Sequence, residues 1–134
     1  MGVKLAKKAI DLGIVVRDKE AAVKFYRDTL GLEQIGEQGG STGAVIVRLA
    51  CGESQIKIWT GTSPKTVAAS GGPTGGATGN RYWTISISNL DEMAAKIKGA
   101  GYKLAWEPRE IRPGVRIAMA EDPDGNWVEL SEAK

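Results

Sequence analysis

At 134 residues, with 18 Lys plus Arg against 16 Asp plus Glu and a net charge of +2, the chain suits one domain of ordinary size and carries no basic tract that would mark a nucleic acid or a membrane surface as its main partner. No apolar run approaches the ~18 residues of a membrane span, and the lysine-bearing start, Met1 to Lys8, is not followed by an apolar segment of signal-peptide type, so a cytoplasmic location is the default expectation. There is no histidine and a single cysteine, Cys51: an intrachain disulfide is excluded, and without an imidazole to activate it Cys51 reads as a structural thiol, buried or at a strand end.

The first predicted strand is the β-rich run Ile10 to Val16. Asp18 then caps a helix with Ala21, Ala22, Phe25, Tyr26 and Leu30 at helical spacing, and Gly31 stands where a helix end favours positive φ. Strands follow at Leu32 to Gly36, Gly43 to Ala50 and Ser54 to Thr60, with Gly36 to Gly43 as a hairpin loop and Gly52-Glu53 as a tight turn. Thr60 to Asn80 is rich in glycine but lacks the Gly-Lys-Ser/Thr ending of a phosphate-binding loop; it reads as a linker, or as a mobile lid.

The second half repeats this order. Tyr82 to Ser88 is a strand, Asn89 or Asp91 caps a helix running through Ala100 with Met93, Ala94, Ile97 and Ala100 inward, and Gly101 ends it. Lys103 to Trp106, Val115 to Ala120 and Asn126 to Ser131 are strands, the last two joined by the turn Asp122-Pro-Asp-Gly-Asn126. The expected fold is α+β: two βαβββ modules, about 9–60 and 81–131, separated by a linker at about 61–80, within a single domain spanning 1–134.

Two stretches, Asp11-Leu-Gly-Ile-Val-Val-Arg-Asp18 running on to Phe25-Tyr-Arg-Asp-Thr-Leu-Gly-Leu32, and Glu121-Asp-Pro-Asp-Gly-Asn-Trp-Val-Glu-Leu130, resemble the vicinal oxygen chelate superfamily of glyoxalase I, bleomycin resistance proteins, extradiol dioxygenases and epimerases. The resemblance spans about Ile10 to Leu130 and implies that the two modules form a curved mixed sheet around an open cavity, helices outside, with ligands on the concave side and a homodimer as the expected assembly. Metal-using members bring four side chains to the cavity centre. Carried over by position, these fall on Asp11, Lys57, Tyr82 and Glu129, of which only Glu129 keeps the family's residue type.

That set is a poor metal site, since an ammonium stands where a donor is needed and imidazole is lacking; no metal and no cofactor are expected. The resemblance and the chemistry together point to a lyase or isomerase in which Glu129 or Asp11 removes a proton next to a carbonyl while Lys57 or Tyr82 stabilises the enolate. The bland counterpart is a salt-bridge network in which Lys57 sits between Asp11 and Glu129. The alternative function is a non-catalytic binder of an aromatic compound or antibiotic. Strand alternation sets Trp59, Thr84, Ser86 and Trp127 on the face of the cluster as substrate-binding candidates, with Trp83 toward the helix. Arg109, Arg112 and Arg116, around Pro108 and Pro113, form either a cationic mouth, with Arg112 and Arg116 touching substrate, or rim ion pairs with Glu107 and Glu110.

Overall fold

The structure, a computed structural model, describes residues 2–39, 43–61, 66–69 and 71–134. The chain divides into two compact units, Met1–Thr66 and Val67–Lys134.

In the first unit, Asp18 lies in extended backbone and its carboxylate accepts from the N–H groups of Glu20 and Ala21, at 2.9 and 3.4 Å, which starts α1 (Lys19–Val23). The helix then widens into a π-helical turn, Lys24–Thr29. Leu30 N–H reaches back to Phe25 O at 2.9 Å, and the Thr29 hydroxyl donates to Lys24 O at 3.1 Å. Four strands follow the order β1 (Leu12–Val15), β4 (Ser54–Thr60), β3 (Val45–Cys51), β2 (Glu33–Gly39), with β1 parallel to β4 and the other pairs antiparallel. Helix α1 packs on β4. The alternation of each strand gives one face to the core: Ile14, Val47, Leu49, Ile56 and Ile58 are buried with Phe25 and Tyr26, whose rings meet edge to face.

Strand β2 runs three residues further than the sequence suggests, through Gly36 to Gly39, where a hairpin loop was expected. The added residues continue the ladder with β3, Glu37, Gln38 and Gly39 lying opposite Val47, Ile46 and Val45. A Cβ at Gly36 would stand 2.5 Å from Arg48 Nη2, so the glycine is the space in which the neighbouring strand's guanidinium lies. Residues 40–42 of that expected loop lie outside the described residues.

The second unit repeats the plan: β5 (Tyr82–Ser86), α2 (Leu90–Gly99), β6 (Leu104–Arg112), β7 (Val115–Glu121) and β8 (Trp127–Ala133), in the order β5-β8-β7-β6, with β5 parallel to β8. The predicted α+β architecture of two βαβββ modules is therefore what forms, each with a four-stranded mixed sheet. Helix α2 packs on β6, β7 and β8 through Leu90, Ala94 and Ile97. Ala100, expected inward, is exposed at the C-cap.

The start of α2 is not capped locally as expected. Asn89 donates its side-chain amide to Glu92 and makes no side-chain cap bond, while the Leu90 N–H is taken by the buried carboxylate of Glu132 on β8, at 2.9 Å. Strand β6 also outruns its predicted end at Trp106, passing through Pro108 to Arg112. It is an edge strand whose pairing with β7 slips between Trp106 and Arg109, and an edge tolerates a residue without an N–H. The Asp122 turn forms as predicted: Asp122 Oδ1 accepts from the N–H groups of Asp124 and Asn126, both at 2.8 Å, and Gly125 takes φ 87°.

The glycine-rich segment before β5 packs within the second unit. Ala69 N–H donates to Asp124 O at 2.7 Å, and Gly72, at φ 62°, lies so close on the indole of Trp127 that any Cβ would fall into the ring. Residues 62–65 and 70 of the expected linker lie outside the described residues. No described helix is long and apolar enough to cross a membrane.

Candidate functional site

The face of the first sheet opposite its core forms a cleft of about 440 Å³ lined by Asp11, Gln38, Ile46, Arg48, Gln55, Lys57 and Trp59. Strand register explains the set. Trp59 lies opposite Ile46, and Ile46 opposite Gln38; Lys57 lies opposite Arg48; Gln55 lies opposite Ala50. Because side chains alternate along each strand, these rungs share one face, while Ile56 and Ile58 point into the core.

The row through Lys57 has an unusual composition. Across the four strands it reads Gly36, Arg48, Lys57, Gly13. Two like charges stand directly opposite, an arrangement that destabilises a sheet unless something neutralises it. Within the first unit, and among the described residues, neither cation has an ion-pair partner. The Arg48 guanidinium makes one long bond, Nη1 to Gln55 Oε1 at 3.4 Å, and its Nε is buried with no hydrogen-bond partner.

Asp11, the one acid in the cleft, is already engaged. Its Oδ1 accepts from Lys7 Nζ and from the Gln55 N–H, each at 2.8 Å. The Lys7 hydrogen bond, then the Gln55 N–H, and the charges of Lys7 and Lys57 hold its carboxyl below the usual carboxylate range. Asp11 is thereby a tether joining residues 7, 11 and 55, a role invisible from its position in the sequence.

In the second unit, the face of β8 opposite α2 carries Trp127, Glu129 and Ser131, with Tyr82, Thr84 and Ser86 beside them on β5. Glu129 is half-buried and accepts from the Thr84 hydroxyl at 2.8 Å. The row through Glu129 reads Trp106, Met119, Glu129, Thr84. Ile117, Met119 and Trp127 form a buried apolar cluster flanked by Ala105 and Trp106. Trp106 meets Trp127 edge to face at 6.3 Å and carries the Arg109 guanidinium 3.8 Å above its ring.

The candidate residues thus fall in two groups. Asp11, Lys57 and Trp59 come together in the first unit; Tyr82, Thr84, Ser86 and Glu129 share a face in the second. Of the remaining substrate-binding candidates, Trp127 shares the Glu129 face but is packed, Arg116 turns to the other face, and Arg112 lies at a strand end. Trp127 is 8% exposed, with Gly72 against its ring, and offers no free stacking surface. Arg116 lies opposite Glu132, on the α2 side of the sheet, and is bound at both nitrogens to Asp91, at 3.0 and 2.9 Å; that pair lowers the Asp91 pKa and raises that of Arg116. Arg112 ends β6 and is exposed beside the Pro113-Gly114 turn. Cys51 closes β3 at the Gly52 turn, and burial pushes its thiol up, away from the reactive thiolate.

Sequence reasoning missed Arg48, Gln38, Ile46 and Gln55. The signal for Arg48 was present: it is the one charged residue in the apolar run Val45 to Ala50, and pairing that run with the Lys57 strand turns it to the Lys57 face.

The donor set does not fit the metal site that the resemblance implies. Asp11 is occupied by a lysine ammonium, Lys57 stands in the same cleft where a donor is needed, and among the described residues no three His, Cys, Asp or Glu side chains are grouped to hold a metal ion.

The profile of the Glyoxalase/Bleomycin resistance protein/Dioxygenase superfamily matches residues 9–130. The chain belongs to this family. Among solved structures, a glyoxalase family protein from Bacillus cereus superposes with a TM-score of 0.81 at 20% identity, covering 98% of this chain and 96% of that one. TnmS3, an antibiotic binding protein from Streptomyces sp. CB03234, superposes with a TM-score of 0.70 at 22% identity, covering 98% of this chain and all of that one. A glyoxalase I mutant from Zea mays gives a TM-score of 0.74 at 20% identity over 90% of this chain and 43% of its own length. At these identities the likeness is one of fold. No curated protein sequence matches the chain.

Proposed function

We propose that this protein binds a small organic molecule in the cleft of its first unit. The observation that carries this reading is the lining itself: Trp59 and Ile46, with Gln38 at the end of their rung, lie beside polar rungs bearing Arg48, Lys57 and Gln55. A half-buried indole next to convergent polar groups is the usual make-up of a ligand pocket. The family includes small-molecule binders, and one fold neighbour is an antibiotic binding protein. A screen of planar aromatic compounds read by tryptophan fluorescence tests it. Saturable one-to-one quenching in the wild type that disappears in Trp59→Leu is expected; quenching retained in that variant sinks the assignment of the cleft.

A second reading, an acid–base lyase or isomerase using Glu129 with Lys57 or Tyr82, draws on the half-buried Glu129 carboxylate and the Thr84 hydroxyl that orients it. Asp11 is a weaker base candidate, since the Lys7 and Gln55 bonds stabilise its ionised form. Turnover lost in Glu129→Gln with ligand binding retained is the outcome that favours catalysis. For assembly, a cytoplasmic homodimer is our proposal, supported by the exposed apolar residues Val15 and Ile35 on or beside the edge strands of the first sheet. Light scattering is expected to give twice the 14.2 kDa chain mass.

A further inference from the structure

The row Gly36, Arg48, Lys57, Gly13 calls for an explanation that packing does not supply. A guanidinium and an ammonium set directly opposite on neighbouring strands repel, and the repulsion costs stability in the empty protein. Two features that would relieve it are missing from the first unit. Asp11, the acid in the cleft, is hydrogen-bonded to Lys7 and only weakly felt by Lys57, and neither cation has an ion-pair partner within the unit among the described residues. Arg48 is in addition left with a buried Nε that makes no hydrogen bond. Buried donors without partners are rare, and a charged one is rarer.

Both ends of the row are glycine, and the two glycines do different things. Gly36 receives Arg48: a Cβ there would stand 2.5 Å from Nη2 and 3.1 Å from Cζ. The guanidinium is thus laid down over β2 as a plane, in a fixed orientation. Gly13 is the opposite case, since a Cβ built there meets nothing within 4 Å. Beside Lys57, then, the row ends in open space. The adjoining rung offers Trp59 and Ile46, with Gln38 at its end.

We infer that this row is an oxyanion subsite: Arg48 and Lys57 hold a carboxylate or phosphate group of the bound molecule, whose planar apolar body lies along Trp59 and Ile46. The inference rests on the binding cleft proposed above and specifies its ligand class. A forked guanidinium paired with a point-charge ammonium fits either oxyanion, and charge-assisted bonds are the stronger kind. The anion removes the repulsion between the two cations.

The test uses three probes that share one ring system: 1-naphthoate, 1-naphthyl phosphate and the uncharged 1-naphthamide, titrated by calorimetry into the full chain. At least one anionic probe is expected to bind one-to-one and at least tenfold more tightly than the amide; the tighter of the two names the source of the oxyanion. Arg48→Met and Lys57→Met each reduce binding of that anion at least tenfold and affect the amide much less. Arg48→Lys, which keeps charge but not the fork, recovers only part of the loss. Gly13→Val keeps both cations and fills the open end of the row, so it weakens the anion even if an Arg48 variant folds poorly. Equal affinity for anion and amide, or affinity for the anion unchanged in Arg48→Met and Lys57→Met, overturns the subsite while leaving the binding cleft standing. Failure of all three probes to bind overturns the subsite and counts against the cleft as well.

Discussion

The two units have the same strand order and nearly the same length, yet the faces opposite their cores are built in contrary ways. In the first, the row through Lys57 ends in glycines and holds two cations with no ion-pair partner among the described residues of the unit. In the second, the row through Glu129 is Trp106, Met119, Glu129, Thr84: large apolar groups fill it, and its one charge is already hydrogen-bonded. A repeated backbone plan thus yields one face hollowed into a cleft and one largely satisfied by its own side chains. Duplicated topology sets where side chains stand, and residue size and charge decide what they do there.

The largest expected effect separates the two faces by their tryptophans. Trp127 is buried among Ile117, Met119, Trp106 and Gly72, so Trp127→Ala should cost about 3–5 kcal/mol by emptying a packed site. Trp59, half-buried over a cleft, should cost about 1–2 kcal/mol when truncated, because water already reaches it. Urea unfolding of the two variants measures both; equal costs would show that the first face is as tightly packed as the second.

A smaller contrast lies in how each helix starts. Asp18 caps α1 from its own sequence, and Asp18→Ala should cost about 1 kcal/mol. The first N–H of α2 is instead satisfied by Glu132 from β8, a buried carboxylate 42 positions away. Glu132→Ala should cost about 2 kcal/mol, since it strands a buried donor, while Glu132→Gln keeps an acceptor and should recover most of that. Thermal unfolding distinguishes them, and a Glu132→Ala cost below that of Asp18→Ala would argue that water replaces the cap.

The smallest effect is the pH dependence of the exposed carboxylates, one in each unit. Lys7 and the Gln55 N–H lower the pKa of Asp11; Arg116 lowers that of Asp91. A carboxylate whose pKa is depressed on folding contributes stability that is fully present above its unfolded pKa, about 3.9, and is lost as pH falls through the folded value. The stability gap between wild type and Asp11→Asn should therefore be constant at neutral pH, narrow below about pH 4, and shrink in high salt because the group is exposed. Asp91→Asn should behave alike. A gap for Asp11→Asn that widens on acidification would contradict the Lys7 tether.

Much of the architecture was legible from local pattern. Alternation in Ser54 to Thr60 separates Ile56 and Ile58 from Lys57 and Trp59; Asp18 marks a helix start; Asp122-Pro-Asp-Gly-Asn126 can hardly be anything but a turn. These signals are written within a few residues of one another, so the chain carries them without reference to its fold. What tertiary structure decided is what depends on partners far along the chain. Glu132 caps a helix that begins at residue 90, Gly72 seals Trp127, Lys7 engages the Asp11 carboxylate, and Glu37 to Gly39 extend β2 because β3 pairs with them. Arg48 itself shows the division most plainly: its place in an apolar run marked it as unusual, but only the pairing of β3 with β4 sets it opposite Lys57, because a side chain's neighbour across a sheet is fixed by register and not by its own sequence.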